Sequence, residues 1–153
     1  MPPSGSPPLA VLFACGLNAV RSPMAASLFA QIFGRAIYVG SAGVRKGDLD
    51  AFAVAVMAEI GLDISRHKPV TFEELDDWEG LNFDLIVTLA PEAHHRALEL
   101  TRTTAVDVEY WPTADPSAVE GSRDQRLDAY REVRDQLLTR IRERFVNKST
   151  GNE

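Results

Sequence analysis

Four short apolar runs, alternating with stretches of helical spacing, constrain this chain more than any other feature. Leu9–Ala14, Ile37–Ser41, Leu85–Thr88 and Val106–Tyr110 read as strands. Ser22–Gly34 and Pro91–Leu100 read as helices, one ending at a glycine and one opening on a proline. Leu49, Phe52, Ala53, Val56, Met57 and Ile60 follow helical spacing up to Gly61, and Leu127, Tyr130, Val133, Leu137, Leu138, Ile141 and Phe145 line one face of a long last helix. Strands alternating with helices predict an α/β fold: a four-stranded parallel sheet with helices on both faces, a three-layer sandwich. In such sheets ligands bind beyond the carboxyl ends of the strands, at the point where strand order reverses.

The chain has 153 residues, enough for one domain with a sizeable core, placed at 9–146. The Pro/Ser/Gly-rich residues 1–8 read as a disordered tail, and 147–153 as a frayed end. A formal charge of −6 argues against a nucleic-acid partner, which a basic face would have to hold. Nothing is long and apolar enough to span a bilayer. The one cysteine excludes an internal disulfide and suits a reducing compartment, so the protein is expected in the cytoplasm. Glu73, Glu74, Asp76, Asp77 and Glu79 read as a solvated acidic face or short helix. His94 and His95 are adjacent, not i and i+4, and read as surface residues; no cluster has metal-ligand spacing, so neither metal nor cofactor is expected.

That cysteine is Cys15, directly after the first strand, and Arg21 follows six positions later. Leu12-Phe13-Ala14-Cys15-Gly16 also looks like a lipid-attachment site, but no Lys or Arg precedes it and its apolar stretch is shorter than the ~7–15 residues a signal needs. A strand, a five-residue loop (Gly16, Leu17, Asn18, Ala19, Val20), an arginine and a helix start together describe a cradle for a tetrahedral anion. Backbone N–H groups and the positive end of the helix dipole face one point, where they favour bound phosphate, sulfate and thiolate alike. The guanidinium supplies paired donors for two oxygens. Ser22 is expected to cap the helix, with Pro23 at its first position. After the fourth strand, Trp111-Pro112-Thr113-Ala114-Asp115-Pro116 overhangs the same sheet edge. Asp115 is the candidate general acid, in a stiff Asp-Pro turn, provided partial burial keeps it protonated.

These residues, with Ser22-Pro23-Met24-Ala25, Ser41-Ala42-Gly43, Gly61-Leu62-Asp63-Ile64-Ser65-Arg66-His67 and Phe83-Asp84-Leu85-Ile86-Val87-Thr88, make the chain resemble the low-molecular-weight protein tyrosine phosphatases, a family shared with the thioredoxin-coupled arsenate reductases. The resemblance runs from about Leu9 to Phe145. It implies a metal-independent hydrolase of phosphorylated proteins or small phosphoesters, working through a phosphocysteine on Cys15. It implies that Arg21 binds the phosphate, and that Asp115 first protonates the leaving group and then activates water. It also implies that Asn18, Ser22, Ser41 and His67 hold the loop by hydrogen bonds, with Ser22 donating to the departing thiolate. Asparagine suits Asn18's place on its own terms, since it tolerates a left-handed backbone.

Three departures from the family pattern bear on function. Gly16-Leu17 reverses the usual order, putting leucine where close backbone approach favours glycine, which is expected to weaken the grip on phosphate. Val20 stands where many relatives have a second cysteine, so no neighbouring disulfide can shield oxidised Cys15, and with no other cysteine in the chain arsenate reduction would need an external thiol. Aromatic pocket walls are missing: the mouth is expected at Val44, Arg45, Lys46 and Ser117, where positive charge would suit acidic or small substrates. A third reading keeps the cradle without chemistry, as a weak oxyanion-binding module.

Overall fold

The computed structural model describes residues 10–147. Strands β1 (Ala10–Cys15), β2 (Tyr38–Gly43), β3 (Leu85–Thr88) and β4 (Asp107–Tyr110) form one parallel sheet in the order β2-β1-β3-β4. Helices α1 (Arg21–Phe33), α2 (Ala51–Ala58), α3 (Phe72–Glu79), α4 (Pro91–Leu100) and α5 (Arg123–Ile141) connect and cover it. The α/β sandwich is as expected, and the bounds of β3 and α4 coincide with the sequence reading. Of the expected tails, 1–8 and 147–153, residues 1–8 and 148–153 lie outside the described residues, as does Leu9, while Asn147 still belongs to the helical turn that ends the domain.

β1 pairs with β2 on one side and β3 on the other, so its side chains are buried almost throughout. Alternate residues face opposite layers, as strand geometry requires. Val11, Phe13 and Cys15 join α1, α2 and α5 through Met24, Phe29, Met57, Tyr130 and Leu137. Leu12 and Ala14 face α3 and α4 through Phe72, Leu75, Ala93 and Ala97. Phe13 packs edge-on against Phe29 at 5.7 Å and Trp111 at 6.0 Å. After α5 the chain widens into a π-type turn, Arg142–Asn147, which still brings Phe145 within 5.1 Å of Phe29. Burial of such rings is worth several kcal/mol apiece. No helix among the described residues is long and apolar enough to cross a membrane.

Several local expectations are corrected. Ser22 does not cap α1: the helix starts one residue earlier, at Arg21, and Val20 in the cap position offers no side-chain acceptor. The α2 helix is shorter than its apolar spacing suggests, and Ile60 is exposed. Asp50 sets its start, accepting from Phe52 N–H at 2.7 Å. The acidic segment, by contrast, is the short helix expected, α3, fixed by reciprocal Thr71 and Glu74 bonds at its first turn. His94 is not a plain surface residue. Its Nδ1 lies 2.9 Å from Thr88 Oγ1 and its ring stacks on Tyr110, while His95 is exposed.

Candidate active site

The strand order reverses between β1 and β3, and Cys15 is the last residue of β1. The loop 16–20 leaves the sheet there and turns into α1. The segment after β2 runs beside it: Val44 N–H donates to Cys15 O at 3.3 Å, Arg45 N–H to Gly16 O at 2.9 Å, and Gly47 N–H to Leu17 O at 3.0 Å. From the other side, Asp50 N–H donates to Ala19 O at 3.2 Å. The loop's carbonyls are therefore turned outward and tied to its neighbours. Among the described residues, no acceptor takes up the N–H groups of Leu17, Asn18, Ala19 or Val20. Uncommitted N–H groups at a helix N-terminus that lacks a side-chain cap make an anion-binding concavity.

Asn18 is the hub of the loop. It is fully buried and adopts φ 55, the only non-glycine left-handed backbone among the described residues. Val70 N–H donates to its Oδ1 at 2.9 Å, which fixes that atom as the oxygen. Nδ2 then donates to Ser22 Oγ at 2.8 Å. Ser22, also fully buried, stands 2.9 Å from Cys15 Sγ. A thiolate has no proton to give, so in that state the Ser22 hydroxyl donates to sulfur. His67 Nε2 lies 3.0 Å from Asn18 Oδ1 and 3.1 Å from the Asn18 carbonyl, both acceptors, so Nε2 carries the hydrogen. Burial pushes the His67 imidazole below its ordinary pKa, with the Asn18 carbonyl pulling weakly the other way. Ser41 is not brought into this chain of bonds. It pairs with Phe13 in the sheet, and among the described residues its hydroxyl makes no bond to the loop.

Leu17 does not carry the strain its replacement of glycine suggested. The left-handed residue is Asn18, while Leu17 is 43% exposed and rests its side chain near Gly47. The glycine demand falls at Gly43, where a Cβ would come 2.8 Å from Asn18 N and 2.9 Å from Leu17 C. That close approach explains the Ser41-Ala42-Gly43 signature, whose last residue the sequence reading left without a role.

Arg21 opens α1 and its Nη1 donates to the Thr113 carbonyl at 2.9 Å. Thr113 is itself pinned to the sheet edge, its N–H on Leu89 O at 3.1 Å. The guanidinium thus joins the anion loop to the segment that carries Asp115. Asp115 is exposed rather than partly buried. Its Oδ1 accepts from Ser117 N–H at 2.9 Å and Ser117 Oγ at 2.6 Å, capping the short 3-10 turn Pro116–Ala118. The mouth is not the positive rim expected from Arg45 and Lys46. Arg45 forms a two-pronged pair with Glu92 at 3.0 and 3.3 Å, and Lys46 pairs with Glu74 at 2.9 Å. The roles of Thr113, Val70, Glu74 and Glu92 at the site are not legible in the sequence, because these residues act through backbone groups or from distant helices.

An arsenate reductase of Bacillus subtilis (strain 168) is 32% identical over 133 residues, spanning 87% of this chain and 92% of that protein. A solved arsenate reductase in the phosphate binding state has a TM-score of 0.73 and 26% identity, over 90% of this chain and 97% of the other. A serine-for-cysteine mutant of the YwlE arginine phosphatase with a phosphorylated active site serine has a TM-score of 0.70 and 25% identity, over 87% of this chain and 91% of the other. The sequence also matches the family described as low molecular weight phosphotyrosine protein phosphatase across residues 10–150, and the chain belongs to that family.

Proposed function

We propose that this protein hydrolyses phosphomonoesters through a phosphocysteine intermediate, with phosphotyrosine in proteins as its substrate. The observation that carries the reading is the Cys15 Sγ–Ser22 Oγ contact of 2.9 Å inside a loop of uncommitted N–H groups. The loop N–H groups and the Arg21 guanidinium hold the three non-bridging oxygens, and Cys15 thiolate attacks phosphorus in line with the leaving oxygen. Asp115 in its acid form gives that oxygen a proton as the P–O bond breaks. In the second step the Asp115 carboxylate takes a proton from water, whose oxygen attacks phosphorus. The S–P bond breaks, sulfur leaves as thiolate, and Ser22 donates to it. Both proton transfers require the Asp115 carboxyl to let go of Ser117 and turn toward the loop. Phosphate binding in the loop is supported by the phosphate-bound state of a related arsenate reductase. A single free cysteine suits the reducing cytoplasm, where we place the enzyme. Turnover of an aryl phosphate tests the reading. Cys15→Ser should abolish it, Asp115→Asn should slow it by ~10²–10⁴, and full activity in Cys15→Ser would refute it.

The likeness to arsenate reductases favours a second reading at the same site. Cys15 would add to arsenate with loss of water, and an external thiol would then attack sulfur, giving a mixed disulfide and arsenite. Cys15 is the chain's one cysteine, so that thiol must come from outside. Arsenite formed with glutathione, in the absence of phosphoester turnover, would replace the first reading with this one. Phosphate binding with neither reaction would leave a binding module.

A further inference from the structure

The rim segment is bound to the loop backbone, and one carboxylate lies against the first loop residue. Glu92, on the first turn of α4, packs its side chain on Gly16. A Cβ at residue 16 would collide with Glu92 Oε1 and come within 3.3 Å of its Cδ. Arg45 N–H holds Gly16 O at 2.9 Å while its guanidinium reaches over to Glu92. Backbone and side chains together clasp Gly16, the neighbour of Cys15.

We propose that Glu92 is a specificity-determining carboxylate that favours phosphorylated side chains with a Lys or Arg beside them. This rests on the phosphoester reading above. Arg45 and Lys46 each face a carboxylate, Glu92 and Glu74, so the rim presents an acidic substrate with no unopposed cation. Glu92 and Glu74 offset Arg45 and Lys46, and Asp48 on the same segment then leaves the rim net negative. Glu92 is anchored against Gly16, whereas the Arg45 side chain is 62% exposed. Exposed ion pairs are weak. A carboxylate has about four acceptor positions, so a substrate cation can join or replace Arg45 on Glu92 at little cost.

The test uses one phosphotyrosine peptide with Arg, Ala or Glu next to the phosphorylated residue. Wild-type kcat/KM should favour Arg over Glu by about two- to fivefold, a preference that salt erodes. Glu92→Gln should erase or invert it, since Arg45 is then released, and Arg45→Ala should widen it. A Glu92→Gln protein that keeps the wild-type ratio overturns the proposal. The same peptides bound to Cys15→Ser protein in calorimetry separate the two claims. Charge-selective binding without wild-type turnover sinks the hydrolase reading alone. Turnover without charge preference sinks the Glu92 proposal alone, and neither binding nor turnover sinks both.

Discussion

Asn18 Nδ2 donates to Ser22 Oγ at 2.8 Å, and that bond decides where the Ser22 proton goes. One hydroxyl lone pair is occupied, so the O–H is left to face Cys15 Sγ at 2.9 Å. The direction of the bond is itself fixed from 52 residues away, by Val70 N–H on Asn18 Oδ1. A backbone amide in the irregular segment just before α3 therefore orients the hydrogen bond at the nucleophile.

Ser22→Ala removes only the last link. A hydrogen bond to a charged group is worth about 1.5–3 kcal/mol, so sulfur should become a poorer leaving group by roughly 10–10². The expected result is a lower kcat for aryl phosphate, slower alkylation of Cys15 by iodoacetamide, and accumulation of phosphoenzyme in quenched samples.

Asn18→Ala removes the hub. It leaves Val70 N–H without an acceptor, leaves His67 Nε2–H with only the backbone carbonyl of residue 18, and puts alanine at φ 55. An unsatisfied buried donor costs about 1–3 kcal/mol and a left-handed alanine about 1–2 kcal/mol, so urea denaturation should show a loss of about 2–4 kcal/mol. Ser22→Ala should cost less than that, because only Asn18 Nδ2–H loses its acceptor and no side chain is forced onto a left-handed backbone.

His67 makes the same loop sensitive to acid. Its folded-state pKa lies below the ordinary 6.5, chiefly through burial. The unfolded chain therefore binds the proton more readily, and stability rises with pH across that interval. The contribution is fully present above pH 6.5 and is lost as pH falls through the depressed folded value. His67→Gln keeps a donor for Asn18 without titrating. Its urea midpoint should change less between pH 7.5 and 5.5 than the wild-type midpoint does, and equal changes would remove His67 as the cause.

What the sequence made legible follows the range of the interactions. Cys15 and Arg21 are six residues apart, so their meeting around one loop can be read from spacing alone. Leu85–Thr88 and Pro91–Leu100 are bounded by local signals, an apolar run and an N-terminal proline, and both were found at those limits. Ser22 before Pro23 carries a cap signal, yet its side chain turns into the loop because Asn18 and Cys15 hold it there. Arg45 and Lys46 read as a positive mouth because Glu92 and Glu74 arrive on other helices, 47 and 28 residues away. Thr113 acts through its carbonyl, which no side-chain pattern can show.

Leu17→Gly tests the loop's departure from the family order. Leu17 is exposed and its backbone is outside the left-handed region, so glycine gains no needed freedom there. Glycine's larger unfolded-state entropy should cost about 0.5–1 kcal/mol of stability. Inhibition by inorganic phosphate should stay nearly the same. A large gain in phosphate affinity would show that the leucine does obstruct the cradle.

Arg21→Lys keeps the charge and removes the fork. An ammonium is a point charge and cannot give paired, coplanar bonds to two phosphate oxygens while also holding the Thr113 carbonyl 92 residues along the chain. Two effects follow from that double duty. Loss of transition-state contacts should lower kcat/KM for aryl phosphate by at least about 10², in the range seen when one positioned donor is removed from an oxyanion site. Loss of the tie to Thr113 should loosen the segment carrying Asp115, so amide exchange from Thr113 to Ser117 should quicken in the variant even without substrate. If exchange there is unaltered while activity falls, Arg21 serves the phosphate alone and the link between the two loops has no mechanical role.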